Sequence, residues 1–167
     1  MRERRLTRSR SRAFTLVELV FVVAIVALLI SVAMPSFEES KRKQIIAQCE
    51  SQIVVLSQRL EKYKGINYGY PNSLAELGAE EEDCYGNPFQ YLNLDNFDDK
   101  GMYTGPADAK GPTKPRKDKN LKPLNTDFDL FSMGADGEYK DTLSAKVSRD
   151  DIIRANDGTF IGFADDY

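Results

Sequence analysis

Residues 14–34 read FTLVELVFVVAIVALLISVAM, and this apolar stretch decides the expected fold. Only Thr15, Glu18 and Ser31 are polar, and residues 19–30 contain no polar side chain. As an α-helix the stretch would be roughly 32 Å long, which is enough to cross a hydrocarbon layer of roughly 30 Å. A core helix of a soluble protein would show a polar face. The stretch therefore predicts a membrane-crossing helix over residues 14–35.

The charge of the chain is divided unevenly around this stretch. Residues 1–13, MRERRLTRSRSRA, hold six arginines and one glutamate, a net charge of +5. Because the whole chain of 167 residues carries −3, residues 14–167 carry −8. Short basic flanks stay in the cytoplasm, so we expect residues 1–13 inside the bacterial inner membrane and the C-terminal part in the periplasm. Two alternatives fit less well. A basic arm would bind RNA or lipid, and a secretory signal would have a shorter apolar core.

Glu18 is the unusual residue of the apolar stretch. A carboxylate in such surroundings costs several kcal/mol unless it is paired, and it is by default a functional residue. The apolar side offers no basic residue nearby. A free α-amino group, made by cleavage just before Phe14, would supply the missing partner.

The stretch RAFTLVEL, residues 12–19, resembles the class III signal of type IV pilins and type II secretion pseudopilins. The resemblance implies cleavage between Ala13 and Phe14 by a prepilin peptidase, and N-methylation of Phe14. The sequence departs from the family at Ala13, where the family usually has Gly. In the family, the residue matching Glu18 pairs with the amino terminus of a neighbouring subunit in a helical filament. A low-dielectric core penalises either charge alone, so this pairing would select the register.

Pro35 resembles the family's proline near the end of the apolar segment. Proline lacks an N–H and clashes with the preceding turn, so it would kink or locally melt the helix. A simple helix break at the membrane surface is the alternative. After it, apolar residues recur at spacings of three and four, which predicts an amphipathic helix over residues 36–64: Ile45, Ile46, Cys49, Ile53, Leu56, Leu60 and Tyr63.

Residues 65–167 form the predicted periplasmic domain. Alternating residues predict strands around Phe89–Leu92 and at Asp127–Met133, with a variable loop over residues 95–126 between them. The expected fold class is α+β, with a long N-terminal helix packed on a small antiparallel sheet and a long C-terminal loop. Lysines and one arginine make residues 110–122 basic. Because no aromatic residues alternate with them, a solvated loop facing an acidic neighbour is favoured over nucleic-acid binding.

Two segments resemble the major pseudopilins more closely, namely GNPFQY (residues 86–91) and FSMGADG (residues 131–137). The second implies one bound calcium ion in the loop 133–157. Carried over by motif, the ligands are the Asp136 side chain and the Met133 carbonyl. Asp151 is the second carboxylate, with Asp150 as its alternate. Residues 139–149 and the tail 153–167 depart from the family pattern. Without metal, Arg149 and Arg154 would neutralise these aspartates.

Cys49 and Cys84 are the only cysteines, and the compartment outside the inner membrane is oxidising. We expect a disulfide between them, with two free buried thiols as the alternative. The chain contains no histidine, which excludes Ser-His-Asp and Cys-His catalysis and imidazole metal ligands. No Gly-rich phosphate cradle or activated nucleophile is present, so we expect no enzyme.

The resemblance implies a structural subunit, the major pseudopilin of a type II secretion system, which polymerises into the periplasmic pseudopilus. Its implied partners are other copies of itself, minor pseudopilins, the prepilin peptidase and the inner-membrane secretion platform. It would be inserted in the membrane before assembly and would bind no nucleic acid. A type IV pilin of a surface filament is the first alternative. A single-pass membrane enzyme or receptor is the second, and it predicts an uncleaved chain.

Overall fold

A computed structural model describes residues 15–78, 82–106 and 111–167, without the side chains of residues 33, 35, 36 and 38. The predicted leader and the cleavage site at Ala13 and Phe14 lie outside the described residues. The chain divides into two compact units, Met1–Lys41 and Arg42–Tyr167.

Helix α1 is the longest element, with 52 residues from Leu16 to Asn67. Thr15 precedes its first turn, and the Thr15 hydroxyl accepts a hydrogen bond from the Glu18 N–H at 3.2 Å, as an N-cap residue does. The helix is continuous through Pro35, so it neither ends nor melts there. At its other end, the Tyr68 N–H donates to the Lys64 carbonyl at 2.9 Å, with Tyr68 at a φ of +62°.

The first unit contains the N-terminal half of α1, in which the described large apolar side chains from Leu16 to Val32 are exposed. Leu16 and Val17, for example, keep 78% and 75% of their surface accessible. The predicted membrane crossing over residues 14–35 is not confirmed, because no helix in the described part of the chain is both long and apolar enough to cross a bilayer.

The second unit contains a four-stranded antiparallel sheet in the order β1-β2-β3-β4. The strands are β1 (Gln90–Asn93), β2 (Phe128–Ser132), β3 (Ile152–Ala155) and β4 (Phe160–Phe163). The α+β class is confirmed, and β1 and β2 lie where the alternation predicted strands.

The predicted long C-terminal loop is wrong in its second half, because β3 and β4 form a hairpin there. Asn156 and Asp157 occupy the left-handed region at φ values of +50° and +54°, and Gly158 follows at +87°. Asn, Asp and Gly tolerate positive φ better than other residues, which makes this sequence a favoured hairpin turn. β3 then pairs with β2, so the hairpin completes the sheet.

The sheet has two covered faces. The helix-side core joins α1 to alternate strand residues and contains Cys49, Ile53, Leu56, Leu60, Tyr70, Leu74, Phe89, Tyr91, Phe128, Leu130 and Ile152. The loop-side core lies on the other face and contains Leu124, Phe131, Leu143, Ile153, Ala155 and Ala164. Successive residues of β2 alternate between the two cores, as Leu130 and Phe131 do, because neighbouring side chains of a strand point to opposite faces.

Cys49 and Cys84 are joined by a disulfide, with their Cα atoms 5.2 Å apart. The bond connects a fully buried position of α1 to the segment that precedes β1. The alternative of two free thiols does not describe this structure, in which no free cysteine occurs among the described residues.

Candidate functional site

The turn after β2, residues 134–137, carries the predicted calcium motif. Gly134 has a φ of +65°, and a Cβ there would lie 2.5 Å from the Asp150 carbonyl oxygen, so only glycine fits. The Asp150 carboxylate accepts hydrogen bonds from the N–H groups of Ala135 at 2.9 Å and Asp136 at 3.3 Å. The Asp136 carboxylate accepts one from the Glu138 N–H at 2.9 Å. The motif and Asp150 therefore form one local structure.

The predicted ligands do not all meet at this turn. Met133 leads directly into it, and the carboxylates of Asp136 and Asp150 both bond to its backbone. Asp151 does not join them, because its side chain is fully buried and its Oδ2 lies 2.6 Å from an Nη atom of Arg116. Two adjacent residues entering a strand face opposite sides, so only one of the two aspartates can reach the turn. That residue is Asp150, the alternate, and not Asp151.

The donors at the turn suit calcium in kind but not in number. Calcium takes six to eight oxygen ligands, and the turn offers two carboxylates. No group of three or more acidic or cysteine side chains that could hold a metal occurs in residues 15–78, 82–106 and 111–167. A calcium ion here would therefore need backbone carbonyl groups and water to complete its shell.

The metal-free pairing predicted for the two arginines does not form at the turn. Arg154 lies 2.6 Å from the Asp127 carboxylate and stacks over the Phe128 ring, with its carbon Cζ 4.0 Å from the ring centroid. Arg149 lies 3.7 Å from Asp165 in an exposed pair. Each arginine thus pairs with an aspartate that lies outside residues 134–137.

Arg116 is the important buried residue that the sequence pattern did not reveal. It belongs to the basic loop, yet only 1% of it is exposed. Its guanidinium pairs with Asp151 and stacks on the Phe131 ring at 4.1 Å from the centroid. Its backbone N–H donates to the Asp129 carboxylate at 2.6 Å, and Asn125 donates to the other oxygen of Asp129 at 2.9 Å.

Burial dominates the electrostatics of this cluster. It raises the pKa of Asp129 to about 6, although the hydrogen bonds from Arg116 and Asn125 oppose the shift. It likewise raises the pKa of Asp151 to about 6 against the attraction of Arg116. The sequence signal was Asp129 itself, because a carboxylate between the apolar residues of a buried strand requires a partner.

Glu18 lies in the first turn of α1, three residues after the N-cap Thr15. The helix N-terminus carries a partial positive charge, which favours a carboxylate at this position. The Glu18 side chain is exposed in the single chain. It can therefore accept a positively charged partner from another molecule.

Comparison with known proteins gives this N-terminal geometry a meaning. Residues 8–34 match the family of the prokaryotic N-terminal methylation motif. Type II secretion system core protein G of Pseudomonas aeruginosa is 26% identical over 141 residues, covering 78% of the chain and 88% of the relative. The chain belongs to the type II secretion pseudopilins.

Two further relatives of this pseudopilin carry the same name. The protein of Aeromonas hydrophila is 26% identical over 151 residues, covering 77% of the chain and 86% of that relative. The protein of Dickeya chrysanthemi is 37% identical over 70 residues, covering 42% of the chain and 46% of that relative. No solved structure matches the chain. These names favour the pseudopilin over the type IV pilin and over the membrane enzyme or receptor.

Proposed function

We propose that this pseudopilin is the major subunit of a periplasmic pseudopilus and that it acts by polymerising, not by catalysis. The observation that carries the proposal is the methylation motif at residues 8–34, which ends within the exposed apolar half of α1. Similarity to type II secretion core proteins over most of the chain supports it.

The proposed maturation is cleavage between Ala13 and Phe14 by a prepilin peptidase, followed by N-methylation of Phe14. The beginning of α1 at Leu16, with Thr15 as its N-cap, supports this position. Cleavage there would leave one residue before the N-cap. The new ammonium group would then lie at the helix end and be presented to the Glu18 carboxylate of a neighbouring copy.

The apolar half of α1 would anchor the precursor at the inner membrane and then pack in the core of the filament. Its exposed side chains have no described partner surface within their own unit, and burying them against other copies would release free energy at roughly 25 cal/mol per Å². The proposed partners are further copies, minor pseudopilins and the inner-membrane secretion platform. The C-terminal unit would face the periplasm.

Mass spectrometry of the mature protein tests the maturation. We expect a chain that begins at methylated Phe14, whereas a chain that keeps residues 1–13 would contradict the proposal. Glu18→Ala should be processed normally but should assemble poorly, because the ammonium group loses its partner. Glu18→Asp is the matched variant, and normal filaments from Glu18→Ala would contradict the pairing.

We also propose one calcium ion at the turn 134–137, held by Asp136, Asp150 and backbone carbonyls that include Met133. Calcium would neutralise the two carboxylates and fix the turn against the sheet. Asp136→Ala should lower the melting temperature in calcium but leave it unchanged in chelator. Glu138→Ala, an exposed acidic control beside the turn, should keep the response to calcium. An equal loss with and without calcium would contradict the site.

A further inference from the structure

Six exposed lysines form a basic face on the two segments that cover the loop side of the sheet: Lys114, Lys117, Lys119, Lys122, Lys140 and Lys146. Among the residues that the structure describes, none of them forms an ion pair with a carboxylate. The face is therefore an unneutralised positive surface on a chain whose residues 14–167 carry a net charge of −8.

The basic face is held by a fixed backbone. Arg116, next to Lys117, is buried and pairs with Asp151. The Lys117 N–H donates to the Asp141 carbonyl at 2.8 Å, and the Leu143 N–H donates to the Lys117 carbonyl at 3.1 Å. These bonds join the two lysine-bearing segments, so the basic face is a preformed surface and not a freely moving loop.

The basic face also has a receptive centre. A surface cavity of about 380 Å³ is lined by Lys117 and Lys140, one from each segment, together with Tyr139, Asp141 and Thr142. Two ammonium groups with neighbouring hydroxyl groups suit a carboxylate ligand, because charged donors give the stronger hydrogen bonds.

A second surface of the same unit has the opposite charge. The turn of residues 98–101, here called the acidic turn, presents the exposed residues Asp98 and Asp99. The Gly101 N–H donates to the Asp98 carbonyl at 2.8 Å, and the Asp98 carboxylate accepts from the N–H groups of Lys100 and Met102. Asp99 has no hydrogen-bond or ion-pair partner in the described structure, so its carboxylate is available.

Each surface carries one exposed apolar side chain beside its charges. Met102, next to the acidic turn, is 66% exposed, and Leu121, within the basic face, is 39% exposed. Charges steer two surfaces together, and a desolvated apolar contact adds affinity. The two surfaces are thus complementary in sign and in character.

We propose that the basic face of one subunit receives the acidic turn of a second copy in the assembled pseudopilus. The contact uses a different patch on each partner, and heterologous contacts of this kind build open helical polymers. It would also offset the repulsion between subunits that share a net negative charge. The inference rests on the proposed function, because it specifies a contact within that polymer.

A zero-length carbodiimide cross-link tests the contact, because it joins a carboxylate to an amine only where the two groups touch. The full chain is produced as a mixture of isotope-labelled and unlabelled copies, assembled, cross-linked and analysed by mass spectrometry. We expect peptides that join Asp98 or Asp99 of one copy to Lys117, Lys119, Lys122 or Lys140 of another. Polymer without these links, or lysines linked only to other proteins, would overturn the contact.

Charge-reversal variants supply the second measurement. Lys119→Glu with Lys122→Glu should reduce the yield of polymer about tenfold, because like charges would then face each other, and Asp99→Lys should do the same. Combining both reversals should recover most of the yield, since the attraction is restored with the signs exchanged. The matched controls are Lys62→Glu and Asp166→Lys, two exposed sites outside both surfaces, which should assemble as the unchanged chain does.

The two hypotheses fail differently. A correctly processed chain that forms no polymer under any condition contradicts the proposed function and the contact together. A polymer that forms equally well from both single-sided reversals contradicts the contact alone. Recovery in the combined variant excludes a simple folding defect, because such a defect would persist when the second reversal is added.

Discussion

The two faces of the sheet are covered in different ways. On the helix side, α1 supplies a stripe of apolar residues, and Cys49, Ile53, Leu56 and Leu60 are fully buried. On the loop side, irregular segments supply the cover, and the buried cluster of Arg116, Asp129 and Asp151 lies among the apolar residues. One face is closed by a regular element, and the other by chain without regular structure.

The difference follows from the backbone. A helix satisfies its own N–H and C=O groups, so it can cover a sheet with apolar side chains alone. An irregular segment brings unpaired backbone groups into the core, and these need partners. Asp129 accepts from the Arg116 N–H for this reason. Burying carboxylates on this face then requires positive charge nearby, which Arg116 supplies through its position beside Asp151.

Removing Arg116 should break the loop side with the largest effect. Arg116→Ala leaves Asp151 buried without its cation, so we expect the free energy of unfolding to fall by about 3–5 kcal/mol. Urea denaturation of the mature chain would measure the change. The loss should be accompanied by early proteolysis in residues 111–126, because these residues lose their anchor.

A double variant separates charge from packing in the same cluster. Arg116→Met combined with Asp151→Leu removes both charges while keeping much of the volume. Apolar replacements of a buried pair are often neutral, so the double variant should be clearly more stable than Arg116→Ala. Equal losses in the two variants would show that packing, and not the ion pair, holds the loop.

Truncation within the helix side gives the next effect. Leu56→Ala deletes a fully buried side chain, and we expect a loss of about 2–5 kcal/mol. The neighbouring Val55 is 48% exposed on the same helix, so Val55→Ala should change stability by less than about 1 kcal/mol. Thermal unfolding of both variants checks this, and a similar loss from each would contradict the assignment of the buried stripe.

The helix side could be predicted from the sequence because regular periodicity carries the information. The spacing of Cys49, Ile53, Leu56 and Leu60 states which face is buried before any partner is known. The alternation in DFDLFS similarly placed β2. The calcium motif located Asp136 correctly at its turn, but spacing alone could not tell Asp150 from Asp151, since the answer depends on the direction of the chain entering β3.

The loop side could not be predicted, since its contacts are non-local. Arg116 stands among lysines that are exposed, and only the fold distinguishes it from them. Its partner Asp151 is 35 positions away, and no local rule joins the two. The β3–β4 hairpin had a readable turn at residues 156–158, but the acidic residues around it directed the interpretation to metal binding.

The disulfide reinforces the helix side. Cys49→Ser with Cys84→Ser opens a loop with a sequence separation of 35, and we expect a loss of about 2–4 kcal/mol. Denaturation of the oxidised chain with and without reductant measures the same quantity. Reductant should leave the double serine variant unaffected, and a reductant effect in that variant would show that another cause is responsible.

The loop side should respond to pH through Asp129, with the smallest effect. Its folded pKa of about 6 is raised above the ordinary 3.8 by burial, so the folded state holds this proton more tightly than the unfolded state does. The stability that the proton contributes is complete below the unfolded pKa and is lost as the pH rises through about 6. The window of change is therefore mildly acidic.

The comparison of Asp129→Asn with the unchanged chain isolates this carboxyl. Relative to the variant, the unchanged chain should lose stability from about pH 4 to pH 6, with a slope of at most about 1.4 kcal/mol per pH unit. Urea midpoints across that range measure the difference. The helix-side variant Leu56→Ala removes no titrating group, so its loss should be independent of pH. A parallel pH profile for Asp129→Asn would mean that burial does not shift this pKa. The loop side would then carry its charges at no cost, and the contrast between the two faces would reduce to their secondary structure.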